Sequence, residues 1–272
     1  MFQLPSESLI AACFLLVLIA PCQPCPTNRT LNNLCKCEDS FSGVILICDG
    51  AGKNFDPLQI FKILSDNKLQ LGIIQQLSVQ NTSLKILPGR LFDGLYVKKL
   101  DLSNNLLENV SSTAFDGLEN VLQILILANN SLSDVPFEAL SKNNLQSLIQ
   151  LDLSGNKIRD LDSDDQEFTG LPRLTDLNLS NNKICKMKRD LFTNVKDTLL
   201  TLNLGNNCLD EVPASALRGF RQLLALHVHN NLIEELGPLQ FMNMPTLNLI
   251  NLAKNRIKSI HPRIEYLLPL IS

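Results

Sequence analysis

The chain has 272 residues, with 24 Lys and Arg against 27 Asp and Glu, a formal net charge of −3. That balance argues against nucleic acid or an acidic polysaccharide as partner. There is no Trp, and the only Tyr are Tyr96 and Tyr266, which argues against sugar stacking and aromatic hot spots.

Leu9 to Ala20 is an apolar run of signal-peptide length, too short to span a bilayer. The segment before it lacks Lys and Arg and carries Glu7, an unusual leader. Cleavage after Cys22, with Ala20 at the third position back, satisfies the small-residue rule, so residues 1–22 read as a signal peptide. This cut removes Cys13 and Cys22. It leaves Cys25, Cys35, Cys37, Cys48, Cys185 and Cys208, an even set of the kind an oxidising compartment favours.

Residues 23–72 read as a cap and first coil. The first four of these cysteines spell C-x9-C-x-C-x10-C. Sequence alone leaves three pairings open, and a zinc site is the rival reading. Val44 to Cys48 is expected to supply a strand that covers the open edge of the first coil.

From residue 73 to 260 the pattern L-x-x-L-x-L-x-x-N-x-L returns eight times. The clearest copies are Leu148-Leu151-Leu153-Asn156-Ile158, Leu174-Leu177-Leu179-Asn182-Ile184 and Leu199-Leu202-Leu204-Asn207-Leu209. The asparagine position holds Thr82, Asn105, Asn130, Asn156, Asn182, Asn207, Asn231 and Asn255, spaced 23 to 26 residues apart. This is the leucine-rich repeat pattern. It predicts an α/β solenoid, a horseshoe of about eight repeats with a parallel concave β-sheet and a disulfide-bonded N-terminal cap. In L-x-L the two leucines share one strand face, and only stacked copies can bury them. The asparagine amide both donates and accepts, so it can satisfy its own turn and the neighbouring coil. Thr82 lacks that reach. The return segments carry apolar pairs such as Leu161 with Phe168 and Met187 with Phe192. Cys185 and Cys208 fall in adjacent coils, offset by two positions; a lateral staple and a pair of packed free thiols are both open. Residues 261–272 form a short apolar tail with neither a cysteine cap nor a membrane span, read either as a fold-over tail or as the point where a longer protein continues.

The residues between the leucines line the concave surface, and the core does not dictate them. Those expected to meet a partner are Lys99, Asp101, Ile124, Ile126, Asp152, Asp176, Asn178, His227 and His229. Ile124 and Ile126 place two apolar side chains on a polar face flanked by carboxylates, a candidate contact spot; isolated apolar surface residues are the bland alternative. His227 and His229 lack a third ligand for a metal, and His229 would make a contact pH-sensitive. Acceptor triplets begin at Asn28, Asn81, Asn109, Asn129 and Asn178; the first four are candidate glycosylation sites, and a glycan on Asn178 would obstruct the concavity.

No catalytic constellation is present. Gly43 to Gly52 lacks the Lys-Ser/Thr ending of a phosphate loop, and Ser, His and Asp on a flat sheet have no strained nucleophile turn or enclosed pocket. No cofactor is implied. A non-catalytic role with a protein partner remains.

The four N-terminal cysteines resemble the cysteine-rich cap of extracellular leucine-rich repeat proteins. That resemblance implies first-to-third and second-to-fourth pairing, Cys25–Cys37 and Cys35–Cys48. The spacing is longer than in small proteoglycans, an argument against that subfamily. Cys25-Pro26, Leu34-Cys35-Lys36-Cys37, Cys48-Asp49-Gly50 and the runs Leu132 to Phe137 and Leu151 to Asn156 resemble a group of arthropod secreted leucine-rich repeat proteins. Those proteins are labelled similar to the non-catalytic subunit of shrimp luciferin 2-monooxygenase. The resemblance covers nearly all of the mature chain and implies a scaffold without chemistry.

Overall fold

The computed structural model describes residues 25–26, 29–53, 56–238, 240–241 and 244–264. The expected signal peptide, Asn28 and residues 265–272 of the tail lie outside the described residues.

The cap opens with helix α1 (Arg29–Leu34), followed by strands β1 (Cys35–Ser40) and β2 (Gly43–Asp49), an antiparallel pair in which Cys35 faces Cys48. β2 alternates buried and exposed side chains and pairs in parallel with β3 (Ile73–Gln80), so Val44 to Cys48 covers the first coil's edge. Helices α2 (Leu58–Asp66) and α3 (Lys68–Leu71) connect β2 to β3; α2 buries Ile60, Phe61 and Leu64 at helical spacing.

Seven three-residue strands continue the sheet: β4 (Lys99–Asp101), β5 (Ile124–Ile126), β6 (Gln150–Asp152), β7 (Asp176–Asn178), β8 (Thr201–Asn203), β9 (Ala225–His227) and β10 (Leu249–Asn251). Each pairs in parallel with the next, and the middle leucine or isoleucine sits opposite its counterpart: Leu100, Leu125, Leu151, Leu177, Leu202, Leu226 and Ile250. All seven are at most 1% exposed. With an alternation of two, their neighbours must face the concavity. The return segments are mainly turns and short bridges rather than helices; helix α4 (Phe137–Asn143) is the exception. Their phenylalanines stack into a spine. Phe168 lies parallel to Phe192 at 5.5 Å, with Phe137 edge-on at 5.1 Å on one side and Phe220 at 5.8 Å on the other. Among the described residues, no helix is long and apolar enough to cross a membrane.

The asparagine ladder ties the coils together. The Nδ2 of Asn156 donates backwards to Leu127 O at 2.9 Å and locally to Leu153 O at 3.0 Å, and its Oδ1 accepts from Leu132 N at 3.1 Å. Asn105, Asn130, Asn182, Asn207, Asn231 and Asn255 repeat the same bonds on their own coils. Thr82 instead donates its N–H and hydroxyl to Asn105 Oδ1, and the cap takes over the pairing behind it through Gly50 N to Gln80 O.

A second ladder was not read from the sequence. The residue just before each ladder position has positive φ: Asn81, Asn104, Asn129, Gly155, Asn181, Asn206, Asn230 and Lys254. Asn and Gly tolerate the left-handed region best. The signal was present as repeated Asn-Asn pairs, which a single hydrogen-bonding position does not require. At each step this residue's N–H donates to the next coil, as Asn129 N does to Ser154 O and Asn181 N to Gly205 O.

Replacing Asn156 by Ala leaves the buried Leu132 N–H without its acceptor and takes one of two side-chain donors from each of Leu127 O and Leu153 O, so Asn156→Ala is expected to lower stability by about 2–4 kcal/mol, whereas Lys157→Ala on the exposed neighbour should change it by under about 0.5 kcal/mol. Urea unfolding of both variants measures the difference.

Candidate functional site

The concave sheet presents three rows of side chains. The first row is Gln76, Lys99, Ile124, Gln150, Asp176, Thr201, Ala225 and Leu249. The second, two residues on, is Ser78, Asp101, Ile126, Asp152, Asn178, Asn203, His227 and Asn251. The third row comes two residues later again, from Gln80 to Ala253. Register puts Ile124 between Lys99 and Gln150, and Ile126 between Asp101 and Asp152. The two isoleucines are half-buried, between the core and open solvent.

Not all of the expected contact residues are free. Asp101 is 9% exposed; its Oδ1 accepts from the N–H and hydroxyl of Ser103, and its Oδ2 accepts from Gln80 Nε2 at 2.8 Å. Asp152 accepts from Ser154 N at 2.9 Å and Asn178 from Ser180 N at 3.1 Å. Asn203 and Asn251 do the same for Gly205 N and Ala253 N. The second row is thus a set of side-chain turns that cap the backbone where each strand ends, the local bond Asp and Asn make readily. This row was missed in the sequence, where its Asp and Asn read as charge and polarity. Asp176, in the first row, takes a hydrogen bond from Thr175 Oγ1 at 2.7 Å.

The two histidines sit on one coil with ring centroids 6.4 Å apart, nearly perpendicular. Burial, reinforced by the neighbouring His229, holds the His227 pKa below its usual value, so the ring is neutral near neutral pH. His229 lies across Gly205 of the preceding coil, close enough that a Cβ there would collide with its ring. Asn206 Oδ1 accepts from Asn230 Nδ2, and its own amide nitrogen lies 3.3 Å from His229 Nε2. The Nδ1 of His229 is buried and has no hydrogen-bond partner among the described residues. Asp176 lies two strands away across Thr201, so the histidines and a carboxylate are not brought together.

A shallow depression of about 200 Å³ lies between Gln150, Asp176, Asn178, Thr201, Asn203 and His227. Two larger open grooves lie outside the concave rows. One, of about 890 Å³, carries five carboxylates, Glu211 and Glu235 among them, against Lys186 and Arg256. The other, of about 780 Å³, is lined by Asp134, Glu138, Asp165 and Glu167 with no basic residue. Both grooves carry more acidic than basic side chains. Among the described residues, the one group with metal-like spacing is Cys25, Cys37 and Asp39, and its two sulfurs are joined to each other.

All six described cysteines are bonded. Cys25 pairs with Cys37 and Cys35 with Cys48, at Cα separations of 5.8 and 4.0 Å. Cys185 and Cys208 are joined across adjacent coils at 4.5 Å. Among the acceptor asparagines, Asn109 is exposed at the start of a two-residue strand paired to Ile86–Leu87. Asn81 and Asn129 occupy left-handed turns; Asn81 Nδ2 donates to Asp49, and Asn129 Nδ2 donates to Asn104 while its side chain packs against Gly155. A glycan on Nδ2 would disturb both bonds.

A leucine-rich repeat family model matches residues 120–184, 172–233 and 221–270. The chain is 37% identical over 114 residues to the nematode Caenorhabditis elegans Leucine-rich repeat-containing protein let-4, covering 42% of this chain and 14% of that protein. It is 28% identical to chicken Tsukushi over 90% of this chain and 70% of that protein. It is 31% identical to chicken lumican over 59% of this chain and 38% of that protein. The chain therefore spans only a small part of let-4 and of lumican. Similarity to lumican corrects the subfamily argument drawn from cap spacing: loop length between bonded cysteines varies without disturbing the repeats that carry the likeness.

Breaking the lateral bridge with Cys185→Ser and Cys208→Ser together should cost about 3 kcal/mol by loop-closure entropy, read by denaturant unfolding. Expressed through a secretory route, Asn109→Gln should lose one glycan by intact mass, whereas Asn129→Gln should not shift the mass by a glycan.

Proposed function

The chain belongs to the leucine-rich repeat family, and from that premise we propose that it is a secreted, non-catalytic scaffold that binds a protein partner through its concave face. Export is supported by the apolar leader and by six paired cysteines, which persist in oxidising compartments. A non-catalytic role is supported by the chemistry of the face: neither histidine bonds a carboxylate or a nucleophile among the described residues, and the sheet depression is open.

The observation that carries the reading is the β5 coil. There the capping Asp or Asn of the second row is replaced by Ile126, beside Ile124, in the midst of Lys99, Gln150 and Asp152. Nothing in the repeat requires apolar side chains at these two positions, and an apolar centre ringed by polar groups is the anatomy of a protein contact. Lys99, Asp101, Asp152, Asp176, Asn178, His227 and His229 form the polar surround, with Asp101 acting by holding the local backbone.

Two narrower roles share this surface. The likeness of cap and repeats to arthropod secreted proteins favours a stabilising, non-catalytic subunit of a secreted enzyme complex. The other is an ectodomain segment of an adhesion or signalling receptor. A downstream apolar stretch of about 20 residues in the full transcript would select the receptor.

Purification from the native fluid and mass spectrometry of the co-eluting proteins identifies the partner. Ile126→Lys is expected to reduce its retention at least about tenfold by placing a charge in the apolar centre. Full retention with an unchanged melting curve rejects the concave site.

A further inference from the structure

In five of the seven coils after the first, the second-row residue has one task. Asp101, Asp152, Asn178, Asn203 and Asn251 each accept the N–H of the residue two positions on. Two coils break the rule. Ile126 and His227 stand at the same register, and among the described residues Ala128 N–H and His229 N–H have no acceptor. Ala128 is 8% exposed, so an unpaired donor there is costly unless something else accepts from it. One satisfied bond recurs five times along this row and is missing twice, which leaves two N–H donors without a partner among the described residues.

The spacing of the two donors carries chemical information. β5 and β9 are four strands apart, which at ~4.8 Å per strand separates the donors by about 19 Å. About six residues of extended chain cover that distance at ~3.3 Å each. Ile124 and Ile126 lie at one end. One and two strands on, Asp152 and Asp176 add negative charge, and Asp152 has engaged one oxygen only. The middle of the track is therefore acidic and the β5 end apolar.

Building on the proposed concave-face binding, we infer that the concave sheet binds an extended peptide segment of the partner laid across the strands, whose backbone carbonyls accept from Ala128 N–H and His229 N–H, with an aliphatic side chain on Ile124 and Ile126 and a basic residue about three positions away against Asp152 and Asp176. The occupant is a strand-like segment with an aliphatic-x-x-basic spacing. It adds carbonyl acceptors where the repeat has withheld its own. The neutral His227 fits the same arrangement, because an uncharged ring adds no repulsion toward a basic neighbour.

The repeat itself supplies the test variant. Ile126→Asn and His227→Asn install the acceptor used by the neighbouring coils, so the double variant should melt at or above the temperature of the natural protein while losing the peptide. The probes are acetyl-Leu-Gly-Gly-Lys-Gly-Gly-Gly-amide and its reverse-order counterpart, followed by backbone amide resonances of the disulfide-intact protein. Support is a saturable, joint shift of the Ala128 and His229 amides by one of the two peptides, weakened at least about tenfold when Leu becomes Asp or in the double variant. Amide hydrogen exchange without peptide gives a second reading, with Ala128 and His229 exchanging faster than Ser154 and Ser180. The inference is overturned if neither peptide moves both amides, if the double variant binds as well as the natural protein, or if the four amides are equally protected. If partner retention falls in Ile126→Lys while both peptides leave the amides still, the concave site stands and this segment chemistry fails; if retention survives in Ile126→Lys, the concave site itself is wrong.

Discussion

One side-chain amide per coil holds this protein in shape. A strand of three residues cannot satisfy the backbone that turns out of it, and a buried turn with open carbonyls would be prohibitive. Each ladder asparagine closes that deficit in two coils at once, donating to the coil behind and to its own, and accepting from the coil behind. Because the bonds run between neighbours, no coil is complete alone, and stability spreads along the stack as a chain of nearest-neighbour contacts. The cap arises from the same requirement: where Thr82 cannot reach back, β2 supplies the missing strand and two disulfides fix it.

The same constraint divides the concave face into structural and available chemistry. Most of its carboxylates and amides are bound to the backbone that carries them. Asp101 is the clearest case, with both oxygens engaged and little exposure. The residues left over are therefore more informative than the abundant ones. Ile126 and His227 interrupt a row in which Asp101, Asp152, Asn178, Asn203 and Asn251 repeat one task.

The lateral bridge between Cys185 and Cys208 and the phenylalanine spine lie outside the strands, in the segments that return from one strand to the next. Together they fix the spacing of successive turns, Cys185 to Cys208 by a covalent tie and Phe168 to Phe192 by stacked rings.

The periodicity of the leucines and asparagines was enough to establish the fold, because the spacing of strand faces and the reach of an amide are local properties written directly in the chain. It also separated residues the core requires from those it leaves free. The chain's linear order did not reveal that Asp101, Asp152 and Asn178 cap their own strand ends, since an aspartate that binds its backbone and one that faces solvent have the same letter. Nor did the sequence alone decide between bonded and free Cys185 and Cys208. Those outcomes depend on distances between coils, and only the stacked structure brings residues 23 to 26 positions apart into contact.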